Sequence, residues 1–428
     1  MGMFWRMGHT PLPGFLQRSE DNPGQHIALR LFLLEGLLSG AANAYVDTFL
    51  PLFALALGAG AGDLGLMAAV SHVLGPVTYL AGGYLAERSG RHKRLYVVAE
   101  GLLGRGFFLF YALVPWFFEA RAAVLVLIGL HVVRMTFFRL AAPAQMAVTG
   151  RVAPAPLRGR FMSARSLVAG LGELGIQPLA GLLIAWLLFP GGYQLGFALA
   201  WSVGVAGMYA FARMPLPPPQ AVGGAVPRQP LGGLGQDIAT DRRLSAFLLV
   251  VLVWGMGEQV ARPFYSAHMV RNLGLSAGTI GFLAAASSLA SLAGLPLVGL
   301  LSDRTSSRQA LVATGLVLVL AQILWWGARS AWQLVPAFLL AGLANRAFQV
   351  VLLTMLLAIA RPERYARYSA LHQAVATTAA VVGPLLGGYL FERVGFTSNL
   401  ILAAGTGLAA MAIAWRALRE GEPVPVPT

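Results

Sequence analysis

Charged and amide side chains interrupt several long apolar runs in this sequence, and they define the chemistry available to the chain. Glu35, Asn43 and Asp47 share one run; His131, Arg134 and Arg139 share another; Glu258 and Arg262 follow, then Asn345 and Arg346 with Gln349. A charged side chain at the centre of a hydrocarbon layer costs about 2.5–3.5 kcal/mol on insertion scales, so each marks a polar pathway, a proton relay or an ion pair. Asn43 and Asp47 are four residues apart and share a helix face. Glu35 lies about 18 Å from Asp47 along the axis at the α-helical rise. Glu258 and Arg262 have the i,i+4 spacing of a pair that neutralises itself. The guanidinium groups of Arg134, Arg262 and Arg346 suit planar recognition of a carboxylate or phosphate, or pairing with Asp47 and Glu258. His131 is a hydrogen-bonding wall residue or a proton carrier. Glu173 and Gln177, and His372 and Gln373, are secondary candidates, and Arg105 has no evident role.

The elements that position these residues must be membrane-spanning. Of 428 residues 57% are hydrophobic and 11% charged, with a mean hydropathy of +0.68, where a soluble domain carries about 25% charged residues. The apolar runs reach the roughly 20 residues a helix needs to cross the hydrocarbon. The net charge is +14, and Lys93 is the only lysine. Nucleic-acid binding is not the reason, because the basic residues fall on alternate loops between apolar runs. With no cysteine there are no disulfides or thiolate sites. The chain has no H-E-x-x-H, G-x-S-x-G or Walker A sequence and no histidine pair at metal spacing, so neither enzyme chemistry, a cofactor, a metal nor ATP drive is expected.

Apolar runs place spans near 27–57, 61–86, 95–117, 122–149, 161–188 and 193–213. A second set falls near 244–270, 275–301, 309–329, 331–360, 368–391 and 396–418. Backbone facing lipid must satisfy itself, and the runs are too long and uniform for barrel strands, so the expected fold is all-α with twelve transmembrane helices. The organisation is a cytoplasmic arm (1–26), a six-helix bundle (27–213), a breaker-rich linker (214–243) with Pro217-Pro218-Pro219, a second six-helix bundle (244–418) and a tail (419–428). The arm makes a poor signal peptide, and its Met3-Phe4-Trp5 is expected to rest on the membrane surface. Trp116, Trp325, Trp326 and Trp332 sit near span ends as interfacial anchors. Loops 88–94, 151–165, 213–243, 304–308 and 361–367 hold most of the basic residues, against Arg121, Arg271, Arg329 and Arg393 on the opposite side. Both termini are therefore expected on the cytoplasmic side of the plasma (inner) membrane.

The two sets repeat each other. Ser163-Ala164 precedes Pro178, Leu179 and Gly181 as Ser369-Ala370 precedes Pro384, Leu385 and Gly387, and Gly83 to Arg88 echoes Gly299 to Arg304. The loop Gly83-x-x-x-Glu87-Arg88-x-Gly90-Arg91-x-Lys93-Arg94 resembles the loop signature of the major facilitator superfamily, with Glu in place of the usual Asp. Its second copy, Gly299, Asp303, Arg304 and Arg308, is degraded by Ser306 and Ser307. Gly175, Pro178 and Gly181 are a loose relative of the fifth-helix motif of that family's antiporters.

The resemblance implies two pseudo-symmetric six-helix bundles around a central cavity lined by spans one, four, seven and ten, which are the spans that carry charge here. It implies secondary transport of a small solute by alternating access, within the lipid bilayer, with a monomer sufficient. At the loop, Gly83 would let two helices approach closely, and Glu87 or Asp303 would hold an arginine across the seam between bundles in one state and release it in another. Spans three, six, nine and twelve, which the resemblance places outermost, read as nearly free of deep charge, Arg105 in span three excepted. Glu35 and Arg139 lie at similar depth and are expected to approach each other, as a fixed ion pair or as a pair whose protonation responds to conformation. The motifs are nearest to drug/proton antiporters, which points to proton-coupled efflux of an amphipathic or drug-like compound. The arginines leave open an organic anion or a lipid-like anionic solute, and a non-transporting membrane sensor stands as the remaining alternative.

Overall fold

In the computed structural model the described residues are 23–153, 158–216, 238, 240–359 and 365–418. The expected arm, most of the linker and the tail therefore lie outside the described residues. Among those described, twelve helices are long and apolar enough to cross a membrane. In chain order they are α1 (Pro23–Ala56), α2 (Ala61–Ser89, with a turn at Leu74), α3 (His92–Phe117), α4 (Ala120–Val152), α5 (Arg158–Trp186), α6 (Gly191–Arg213), α7 (Arg242–Asn272), α8 (Ala277–Arg304), α9 (Ser307–Gly327), α10 (Ala331–Ile359), α11 (Tyr365–Arg393) and α12 (Phe396–Ala417). Trp186, Leu188 and Trp332 stand almost fully exposed, as side chains bathed by lipid do. Trp325 is not the expected interfacial anchor: it is buried and stacks on Tyr265 at 4.3 Å between ring centroids.

The chain divides into two compact units. The first takes the residues up to Ala59 together with Leu74–Ala225 and Ser276–Ser288; the second takes Gly60–Val73, Val226–Leu275 and the residues from Leu289 on. In the first unit α1 packs against α5 and α6; in the second α7 packs against α11 and α12. Hydrophobic attraction is weak between helices in lipid, so close backbone approach at small residues must hold them together. A Cβ on Gly40 would lie 2.5 Å from the carbonyl oxygen of Ala169 on α5, and one on Gly383 of α11 would lie 2.6 Å from Cβ of Gln259 on α7.

The repeated glycine–proline segments do matching work. In the first unit Gly181 of α5 faces the start of α8, where a Cβ would sit 2.6 Å from the Ala277 carbonyl oxygen. In the second, α11 packs against the first half of α2, where a Cβ on Gly65 would sit 2.5 Å from the Pro384 carbonyl oxygen. Glu392 of α11 also accepts a 2.7 Å hydrogen bond from the Gly62 amide. Gly175, grouped with the same motif, faces open space.

Candidate functional site

The close approach of α1 and α5 brings an acid and a base together inside the first unit. Glu35 is fully buried, at 0% exposure. Its Oε2 accepts a 2.8 Å hydrogen bond from Arg165 of α5. Its Oε1 accepts from the Ser39 hydroxyl at 2.7 Å and from the Tyr96 hydroxyl at 3.2 Å. Gly36 leaves room for the arginine stem, since a Cβ there would meet Arg165 Cγ at 3.0 Å. The partner of Glu35 is thus Arg165, not the expected Arg139. Arg139 is half-buried, with its guanidinium beside Gly75 of α2. Similar depth on two helices does not fix their rotation, and here α4 turns Arg139 toward α2.

The network continues into α3. Arg105 donates to Ser39 Oγ at 2.7 Å, so one hydroxyl receives from the guanidinium and gives to the carboxylate. Arg105 Nε stands 3.9 Å from Glu100 Oε1, with both side chains buried. Tyr96 in turn receives a 2.9 Å hydrogen bond from Gln145 of α4. Two carboxylates and two guanidinium groups therefore balance, which a low-dielectric interior requires. The expectation that span three carries no deep charge besides Arg105 fails at Glu100. Residues Val97–Gly104 form a π-helical stretch, and the Arg105 amide donates to the Glu100 carbonyl. The i,i+5 spacing that separates two residues around an α-helix brings them to one face in a π turn. Gly204 of α6 makes space for the guanidinium, because a Cβ there would collide with Arg105 NH1.

Arg165 also lines a cavity of about 340 Å³ in this unit, with Asn43, Asp47 and Thr48 of α1 and Glu173 and Gln177 of α5. Arg134 is buried, not lining this cavity; its NH2 donates to Asn43 Oδ1 at 3.1 Å while its guanidinium lies 5.0 Å over the Phe108 ring. His131 Nδ1 lies 3.4 Å from the Tyr111 hydroxyl. Gln177 accepts from Ser288 of α8 at 3.0 Å.

The second unit holds a cavity of about 290 Å³ lined by Glu258, Gln259, Arg262, His372 and Gln373, with His72, Trp254 and Gln349. The i,i+4 pair forms, with Arg262 NH1 3.4 Å from Glu258 Oε1, but Arg262 is 64% exposed. Asn345 and Arg346 lie half-buried on α10, outside this lining. Sequence reasoning overlooked Arg165, Tyr96, Glu100 and His72. Arg165 falls both in the basic loop 151–165 and in the expected span 161–188; α5 begins at Arg158 and carries it two turns inward, and the acid at Glu100, within an apolar run, is a readable signal.

At the loop after α2, Gly90 adopts φ 60° and ends the helix with its amide on the Ala86 carbonyl at 3.1 Å, the left-handed conformation that glycine supplies without strain. The close-approach residue is Gly82, not Gly83: a Cβ on Gly82 would strike the Leu140 carbonyl of α4, whereas Gly83 faces open space. Arg88 lies over Tyr84, and Arg91 and Glu87 are exposed. Among the described residues Glu87 has no hydrogen bond or ion pair. In the second copy, Arg308 donates to the Trp415 carbonyl at 3.2 Å and stacks on its ring. The side chains of Gly299, Asp303 and Arg304 lie outside the described residues.

A family model described as Major Facilitator Superfamily matches residues 247–428. The chain is 26% identical over 393 residues to the multidrug resistance protein MdtG of Citrobacter koseri, covering 90% of this chain and 93% of the relative. It is 25% identical over 399 residues to MdtG of Salmonella paratyphi C, with the same coverage. Among solved structures, it resembles a bacterial homologue of the human lysosomal transporter Spinster in an inward-facing, occupied conformation, with TM-score 0.70, 15% identity, and coverage of 93% of this chain and 97% of that one. It also resembles the nucleoside transporter NupG, with TM-score 0.70, 12% identity, and coverage of 93% and 100%. The chain thus has the all-α fold of these solved transporters, with twelve helices able to cross a membrane; its second half matches the Major Facilitator Superfamily model, and nine-tenths of its length is similar to the multidrug resistance proteins.

Proposed function

We propose that this chain is a secondary transporter of the major facilitator superfamily that exports amphipathic, cationic drug-like compounds in exchange for protons, with Glu35 as the proton acceptor and Arg165 as its movable counter-ion. The observation that carries this reading is the fully buried Glu35 carboxylate bound to an arginine that also lines a cavity. The cavity wall offers two carboxylates, Asp47 and Glu173, to one guanidinium, so a cation is the better guest. Arg134, the obvious anion hook, is occupied by Asn43, and each cavity-lining arginine is matched by an acid. The relatives named as multidrug resistance proteins agree with a drug-like solute.

The hydrogen bonds of Glu35 support one direction for the coupling. Oε1 of Glu35 already accepts from Ser39 and Tyr96, so an arriving proton goes to Oε2 and displaces Arg165. Removing one partner from a buried ion pair costs about 3–5 kcal/mol, so protonation and release of Arg165 occur together. Tyr96 of α3 and Arg165 of α5 bond Glu35 directly, and the charges of Arg105 on α3 and Arg134 on α4 reach its neighbour Glu100. Freed into the cavity, Arg165 competes with the bound cation for Asp47 and Glu173 and drives it off. Loss of the proton recaptures Arg165 and restores the cation site. Alternating access of these states to the two faces of the plasma membrane, with both termini cytoplasmic and one chain sufficient, completes the cycle.

The test is flux in proteoliposomes under an imposed pH gradient, with cationic, neutral and anionic amphipathic solutes, for wild type and Glu35→Gln. Gradient-driven accumulation of cations that disappears in Glu35→Gln, together with cation binding that is weakened in the variant and no longer changes with pH, supports the reading. Undiminished gradient-driven flux in the variant removes Glu35 from the coupling.

A further inference from the structure

A third concave site, in the first unit, shares no lining residue with either cavity and lies where the α2–α3 loop meets the ends of α4 and α6. It encloses about 350 Å³ and is lined by Arg91, His92, Lys93, Arg94 and Arg151 above a floor of Val97, Ala212 and Leu216. Among the described residues no carboxylate lines it. The charge distribution of membrane-protein loops requires only that basic residues lie on one side; it does not require five of them to converge on one hollow. Two neighbours show the ordinary alternative. Arg88 lies over Tyr84 and Arg213 lies 4.9 Å over the Tyr209 ring, both outside the cavity lining.

The lining groups keep donors in reserve. Lys93 Nζ spends one hydrogen on the Met214 carbonyl at 2.8 Å, and an ammonium has three. His92 Nδ1 is buried with no hydrogen-bond partner among the described residues. An apolar floor beneath a cationic rim, at the ends of three membrane-spanning helices, suits a ligand with an anionic head and an apolar body.

We infer that this hollow binds a phosphate-bearing anion: its chemistry is that of a phosphate monoanion or dianion, supplied by an acidic phospholipid headgroup or by free phosphate. Arginine and lysine donors hold the phosphate oxygens, and His92 supplies a further contact. Occupancy would tie the α2–α3 loop to the ends of α4 and α6. None of its lining residues belongs to the Glu35 network.

Binding is measured on the purified full-length protein in detergent, titrated with short-chain phosphatidylglycerol, short-chain phosphatidylcholine and inorganic phosphate, by microscale thermophoresis and thermal shift. Saturable binding of phosphatidylglycerol at least tenfold tighter than phosphatidylcholine is expected. A Lys93→Gln/Arg94→Gln variant should weaken it about tenfold or more, and Arg88→Gln/Arg213→Gln should leave it within twofold. Inorganic phosphate that competes weakly supports the lipid as source; phosphate that binds as well as the lipid supports the site with free phosphate as source. Equal binding of both lipids with no phosphate competition in wild type, a result that needs no variant, overturns the site. So does equal loss in the two double variants, which would mark diffuse charge.

Discussion

The two units share a packing plan and differ in what they bury. In the first, Glu35, Glu100, Arg105 and Arg134 are all buried. In the second, the buried polar side chains among the described residues are uncharged, including Ser291, Thr314, Gln322 and Asn399. The repeat shows where the charges parted. At the spacing that matches Ser163-Ala164 to Ser369-Ala370, Arg165 corresponds to Leu371 and Glu173 to Ala379. Leu371 and Ala379 are buried apolar residues of α11, while Pro178 and Pro384 keep their places. A duplicated helix can hold its backbone contacts with small residues and still exchange its chemistry, because close approach depends on the glycines and not on the polar positions between them.

The largest expected effect comes from making α5 resemble α11. Arg165→Leu leaves Glu35 buried beside Ser39 and Tyr96 without its counter-ion and should lower stability by about 3–5 kcal/mol, read as a fall in the thermal midpoint. The double variant Glu35→Leu/Arg165→Leu should recover most of that loss, since apolar replacement of a whole buried pair is often neutral; gradient-driven flux should stay absent. A double variant that remains as unstable as the single one would show that the network, not the pair, carries the energy.

Next in size is Gly204→Ala, which places a methyl against the Arg105 guanidinium; overpacking of this kind costs about 1–3 kcal/mol. Gly82→Ala, aimed at the Leu140 carbonyl, should cost a similar amount. Gly83→Ala, one residue along the same helix, should change stability by less than about 0.5 kcal/mol. Thermal unfolding of the three proteins side by side separates the positions, and equal effects at Gly82 and Gly83 would contradict the helix rotation described above.

The smallest effect is expected in the second unit. Glu258→Gln breaks a pair whose arginine is mostly exposed, and such pairs contribute about 0–1 kcal/mol. Gradient-driven flux should persist with altered solute affinity. Its complete loss would move coupling to the second unit and end the contrast between the two.

The twelve spans were legible in the sequence because each must present about 20 apolar residues to lipid, a requirement met by composition alone. The placement of Glu35, Asp47 and Glu258 within apolar runs was legible for the same reason, since a charge in such a run stands out. The repeat was legible through Pro178 and Pro384, with their flanking glycines, at constant spacing. The partnerships were not. Whether Glu35 meets Arg165 or Arg139, and whether Gly82 or Gly83 touches α4, depends on the rotation of each helix about its axis, which hydropathy does not encode. Glu100 and Arg105 meet through a π turn that shifts the periodicity by which sequence positions are assigned to faces. Arg165, counted with a basic loop at the start of the fifth span, becomes a cavity residue because the rotation of α5 turns it toward Glu35 of α1. Sequence determined which residues enter the membrane; tertiary packing decided which of them face one another, because contact across helices is set by phase and close approach at small residues.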